Sequence, residues 1–73
     1  MSKLIYSDEQ KYLVEQLRKA REESCMDQVA VAKLLGKTQS YVSKIESGQR
    51  KIDVIQLKEF AAIYKKDISY FMR

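Results

Sequence analysis

Proline is absent from this chain of 73 residues, and glycine occurs only twice, at Gly36 and Gly48. These two residue types do most of the interrupting of regular backbone, so their scarcity leaves few places for the chain to turn. Between those places the apolar residues recur with helical spacing. No segment sustains the alternation of a strand, none is of low complexity, and no internal repeat is visible. An all-α fold is therefore expected, a compact five-helix bundle forming a single domain over residues 1–73.

The spacing and the capping residues divide the chain. Ser7, with Gln10 three residues on, has the form of a capping box and opens a helix that runs to about Ser24. Its apolar stripe is Leu13, Val14, Leu17 and Ala20, and Arg21 continues the row, a cation beside the buried face. Asp27 is the expected N-cap of a second helix ending at Leu35, with Val31, Ala32 and Leu35 inward and Gly36 as its left-handed stop. Thr38 caps a third helix reaching about Glu46, with Val42 and Ile45 inward and Gly48 after it. Asp53, with Gln56, starts a fourth helix that buries Leu57, Phe60, Ala61 and Tyr64. A final turn or short helix follows Asp67, with Ile68, Phe71 and Met72 at i, i+3 and i+4.

Composition removes several classes of function. A domain of this length buries only about 60% of the surface its unfolded chain exposes, which leaves little room for an enclosed active site. No apolar run approaches the roughly 20 residues of a membrane span, and "MSKLIYS" lacks the apolar core of a secretory signal, so a cytoplasmic protein is expected. The lone Cys25 has no partner for an intramolecular disulfide, and without histidine the usual zinc sets cannot be assembled. Neither a metal nor a cofactor is expected. No nucleophile and base stand together and no glycine-rich loop could cradle a nucleotide, so an enzyme is not expected.

Charge is informative through its position. Between Gln28 and Lys51 lie Lys33, Lys37, Lys44, Arg50 and Lys51 against Glu46 alone, whereas the remainder of the chain is neutral within a net charge of +4. A local surplus of this kind suits a polyanion such as nucleic acid. It surrounds two short helices joined by "GKT". A link this short favours a large crossing angle over antiparallel packing, and the small Ala32 allows the second helix of the pair to cross closely. With Val42 and Ile45 inward, the third helix turns Gln39, Ser40, Ser43 and Lys44 outward: neutral hydrogen-bonding groups and one cation.

The run "DQVAVAKLLGKTQSYVSKIESGQRKID" resembles the Cro and phage-repressor (XRE-type) helix-turn-helix family. The positions that carry the resemblance are Gln28, Val31 and Ala32, Leu35 and Gly36, Thr38, then Val42, Ser43, Ile45, Glu46 and Gly48. The motif occupies about residues 27–47. The resemblance implies a lambda-repressor-like domain whose second motif helix enters the major groove of double-stranded DNA. Gln39, Ser40, Ser43 and Lys44 are then the expected base readers, because Gln matches adenine, Lys matches guanine acceptors, and Ser matches donors or acceptors. Gln28, Thr38, Ser47, Arg50 and Lys51 are expected at the DNA backbone, fixing register rather than sequence. Tyr41 either touches a phosphate or thymine methyl there, or packs against the second helix or the N-terminal segment. The resemblance further implies that Arg21 pairs with Glu46 as a structural ion pair. Cys25 and Lys65 stand where the family usually has glycine, and Ile52 where many members have proline.

The function these residues imply is that of a transcriptional regulator, a repressor binding a two-fold operator as a homodimer. A single module buries only about 600 to 1,000 Å² on DNA, and two recognition helices about 34 Å apart would double the site. Ile68, Tyr70, Phe71 and Met72 form the expected dimer surface, unless they close the monomer's own core. RNA polymerase is a candidate protein partner. The competing reading is an antitoxin-type module that neutralises a toxin and binds DNA for autoregulation only. The absence of apolar anchors on the outward face of the third helix favours DNA.

Overall fold

The computed structural model describes residues 8–72. Among these residues four α-helices follow one another, α1 (Asp8–Glu23), α2 (Gln28–Leu35), α3 (Gln39–Glu46) and α4 (Val54–Tyr64), and a 3₁₀ turn (Ile68–Phe71) comes after them. No strand occurs among the described residues. The all-α fold matches the expectation, with the fifth element a single 3₁₀ turn in place of an α-helix. Ser7, expected to cap α1, lies outside the described residues.

Local chemistry sets the boundaries. The Asp27 carboxylate accepts from Ala30 N at 2.8 Å, and the Thr38 hydroxyl accepts from Tyr41 N at 3.2 Å. At α4 the box is reciprocal: Asp53 Oδ1 accepts from Gln56 N at 2.7 Å while Gln56 Oε1 accepts from Asp53 N at 3.0 Å. Each arrangement satisfies donors that a helix start leaves without intrahelical partners. The helix ends share a second device. Cys25, Gly36, Gly48 and Lys65 all have positive φ, at 58°, 71°, 82° and 57°, and reverse the chain in the left-handed region. At Gly36 the reversal lets Lys37 N reach Ala32 O at 2.9 Å, and at Lys65 the same geometry carries Lys66 N to Ala61 O at 3.0 Å.

Every element contributes to one core. Leu17 and Ala20 of α1, Val31 and Ala32 of α2, Tyr41, Val42 and Ile45 of α3, Leu57, Phe60, Ala61 and Tyr64 of α4, and Phe71 of the turn are all buried. Leu13, Leu35, Ile52, Ile63, Ile68 and Tyr70 pack against its edge. The expected dimer set is divided: Met72 is 55% exposed, because the turn ends at Phe71 and the backbone at Met72 is extended. Phe71 is a core residue of the monomer, edge-on to Tyr70 at 5.1 Å, and so is withdrawn from any surface available to a second copy.

Candidate nucleic-acid interface

The site is built on α3. Its start is fixed by the left-handed turn at Gly36 and the Thr38 cap, and its end by the reversal at Gly48. After that reversal the chain folds back on the helix. Lys44 O accepts from Gln49 N at 2.9 Å, from Arg50 N at 3.2 Å and from the Ser47 hydroxyl at 3.2 Å. The loop bearing Arg50 and Lys51 is thereby tied to the last turn of α3. With Tyr41, Val42 and Ile45 buried, α3 exposes Gln39, Ser40 and Lys44 and leaves Ser43 half-buried. Thr38, Ser47, Arg50 and Lys51 are exposed around them, and Gln28 is half-buried.

A hydrogen-bonded chain runs from the core to this face. Arg21 Nε donates to Glu46 Oε2 at 2.8 Å, and its Nη1 donates to Met26 O at 3.0 Å. Gln28 Nε2 donates to Glu46 Oε1 at 3.0 Å. Gln39 Nε2 then donates to Gln28 Oε1 at 2.9 Å. The Arg21 and Glu46 side chains are 13% and 4% exposed, so the pair is largely removed from water. Its hydrogen bond to Glu46 holds the Arg21 guanidinium's pKa above the ordinary arginine value, against the opposing effect of burial. α1, α2 and α3 are joined by polar groups as well as by the apolar core. The Gln28 to Gln39 link has no single-residue signal in the sequence; two glutamines at the starts of successive motif helices are the only trace of it.

Tyr41 is placed otherwise than at a DNA backbone. It is 8% exposed, and its enclosed hydroxyl finds no hydrogen-bond partner among the described residues, so as placed it reaches no phosphate. Burial raises the phenol's pKa, and nearby Arg50 partly offsets this. The ring carries two cations, with Lys37 Nζ at 5.4 Å and Arg50 Cζ at 5.0 Å from its centroid. Sequence reasoning does not assign Lys37 to the site. The spacing of four between Lys37 and Tyr41 is the signal that could have found it.

Elsewhere, Cys25 is exposed and serves as the left-handed end of α1. Tyr64 lies buried close to Arg21 and Glu46, its hydroxyl without a partner among the described residues, and burial followed by the Glu46 charge raises its pKa well above that of free tyrosine. Among the described residues no group of three His, Cys, Asp or Glu could hold a metal ion. None of the described helices is long and apolar enough to cross a membrane.

Neither curated proteins nor solved structures provide a match to this chain. The model of a helix-turn-helix family matches residues 17–71, from the buried Leu17 of α1 to the buried Phe71 of the closing turn. That span covers the short α2–α3 pair, its Gly36 turn and the core that supports it. The chain belongs to the Cro and phage-repressor (XRE-type) helix-turn-helix family of DNA-binding transcription regulators.

Proposed function

We propose that the protein is a sequence-specific repressor that binds a two-fold operator as a homodimer and lays α3 in the major groove. The observation that carries this reading is the outer face of α3, where exposed Gln39, Ser40 and Lys44 stand between the cations Lys37, Arg50 and Lys51. Gln39 is already oriented. Its Nε2 spends one N–H on Gln28, which leaves a second N–H and the Oε1 acceptor for the N7 and N6 edge of adenine. Lys44 suits the acceptors of guanine, and Ser40 and Ser43 suit either kind of edge. Gln28, Thr38, Ser47, Arg50 and Lys51 are the proposed backbone contacts, which fix register. With Phe71 in the core, Ile68, Tyr70 and Met72 remain as the proposed dimer surface.

A protein partner is the second reading, favoured by exposed apolar side chains away from the polar face: Leu34 at 63%, Val54 and Ile55. Substitution on α3 separates the two. Gln39→Ala or Lys44→Ala weakens binding to the operator by about 1 to 3 kcal/mol and relaxes its sequence preference. Arg50→Ala weakens operator and scrambled DNA alike. Three variants with the same loss on both DNAs would remove α3 from the groove.

A further inference from the structure

Two cations far apart in sequence meet on one buried ring. Lys37 precedes α3 and Arg50 follows it, yet both lie within 5.4 Å of the centroid of Tyr41. Cations at these distances from a ring face are attracted by its quadrupole. The arrangement is anchored from both sides. The ring is held in the core by its 8% exposure, and Arg50 is held by its backbone N–H to Lys44 O. Asp53 and Glu59 act electrostatically on the same tyrosine, but among the described residues neither forms an ion pair with Lys37 or Arg50. One ring face cannot use the three N–H donors of Lys37 and the five of Arg50, so donors of both cations stay available to acceptor oxygens. The two distances put the cations no more than about 10 Å apart, so phosphates of one DNA strand can meet both and relieve their mutual repulsion.

We propose that Tyr41 is a positioning residue whose buried ring holds Lys37 and Arg50 together as a paired clamp for phosphates of the DNA backbone. The inference rests on the DNA-binding reading above. It assigns backbone work to Lys37 and makes the geometry of Arg50 depend on a side chain that never touches DNA.

The test is the salt dependence of binding to a short fluorescent duplex of scrambled sequence, followed by anisotropy between about 50 and 200 mM salt. Each phosphate that the protein ceases to neutralise flattens the log–log slope by about one unit. Tyr41→Leu keeps an apolar side chain but removes the π face, and flattens the slope by about one to two units. Tyr41→Phe keeps the face, discards only the unpartnered hydroxyl, and retains the wild-type slope. In the Lys37→Gln/Arg50→Gln background, Tyr41→Leu adds no further flattening. A wild-type slope for Tyr41→Leu, an equal loss for Tyr41→Phe, or additional flattening in the double-variant background each overturns the proposal. Should Tyr41→Leu fail to fold, proton chemical shifts of the wild type and Tyr41→Phe decide. Ring-current upfield shifts at the Lys37 ε and Arg50 δ protons are expected, and random-coil shifts there overturn the proposal. A wild-type protein with no salt-dependent binding to any duplex refutes the DNA reading itself, whereas loss of the Tyr41 effect alone leaves that reading standing.

Discussion

Replacing Glu46 by alanine tests how far the structure depends on one carboxylate. Glu46 accepts from Arg21 Nε at 2.8 Å and from Gln28 Nε2 at 3.0 Å, with its side chain 4% exposed. Its removal leaves a guanidinium that is 13% exposed with only Met26 O as a partner, and leaves the Gln28 amide without its acceptor. Breaking a buried pair from one side costs about 3 to 5 kcal/mol. Because Arg21 keeps the Met26 carbonyl and some contact with water, the lower end applies, about 3 kcal/mol. A domain of 73 residues has roughly 4 to 11 kcal/mol in total at 0.05 to 0.15 per residue, so this is a large fraction. The melting temperature should fall by about 12 to 24 °C, at 4 to 8 °C per kcal/mol for this size. Urea unfolding followed by circular dichroism measures the loss directly. The paired change Arg21→Met with Glu46→Leu should cost less than Glu46→Ala alone, because it leaves no buried charge without a partner. A Glu46→Ala protein within about 0.5 kcal/mol of wild type would refute the reasoning, since only an ordinary surface substitution behaves that way.

Other expectations follow from single positions. Lys65→Gly removes the cost of a left-handed side chain, about 1 to 2 kcal/mol, against an unfolded-state entropy penalty of about 0.4 to 1 kcal/mol; a net gain of about 0.5 kcal/mol should appear as a higher urea midpoint. Tyr64→Phe removes a buried hydroxyl that lacks a partner and should raise stability by about 1 kcal/mol, read by the same unfolding assay. Asp67 accepts from the backbone and hydroxyl of Ser69, which lowers its pKa below the ordinary 3.8. Its contribution is therefore complete above the unfolded value and lost as pH falls through the lower folded one; a carboxyl NMR titration with a midpoint below 3.8 checks this, and a midpoint at or above 3.8 contradicts it.

How much of this could be read in the sequence depended on whether the determining contact was local. Asp27, Thr38 and the Asp53 with Gln56 box were legible because a cap joins a side chain to a backbone group three residues away. The turn at Gly36 was legible for the same reason, since its φ of 71° suits glycine. The core row of α4 followed from helical period, as did Leu17 and Ala20 of α1, whereas Val14 of the expected α1 stripe is only half-buried and outside the core. Tyr41 was ambiguous because α3 buries a face wider than the Val42 and Ile45 row, and its ring is packed by groups remote in sequence. Phe71 looked available to a second copy because spacing alone cannot say whether a short terminal element folds back on its own domain. The hydrogen bonds from Glu46 through Gln28 to Gln39 were hidden, since they require the α2–α3 crossing to exist first. Of the candidate interface, its outward polar residues were legible; the support behind them was not.

The proposed function stands on base reading by α3. Selection of bound duplexes from a random DNA pool at physiological salt, with the selected site then titrated against scrambled DNA, tests it most directly. The expected result is a two-fold symmetric site with adenine and guanine at the positions met by Gln39 and Lys44, bound at least about 10³-fold more tightly than scrambled DNA. Recovery of no preferred site, with equal affinity for all duplexes, would contradict it.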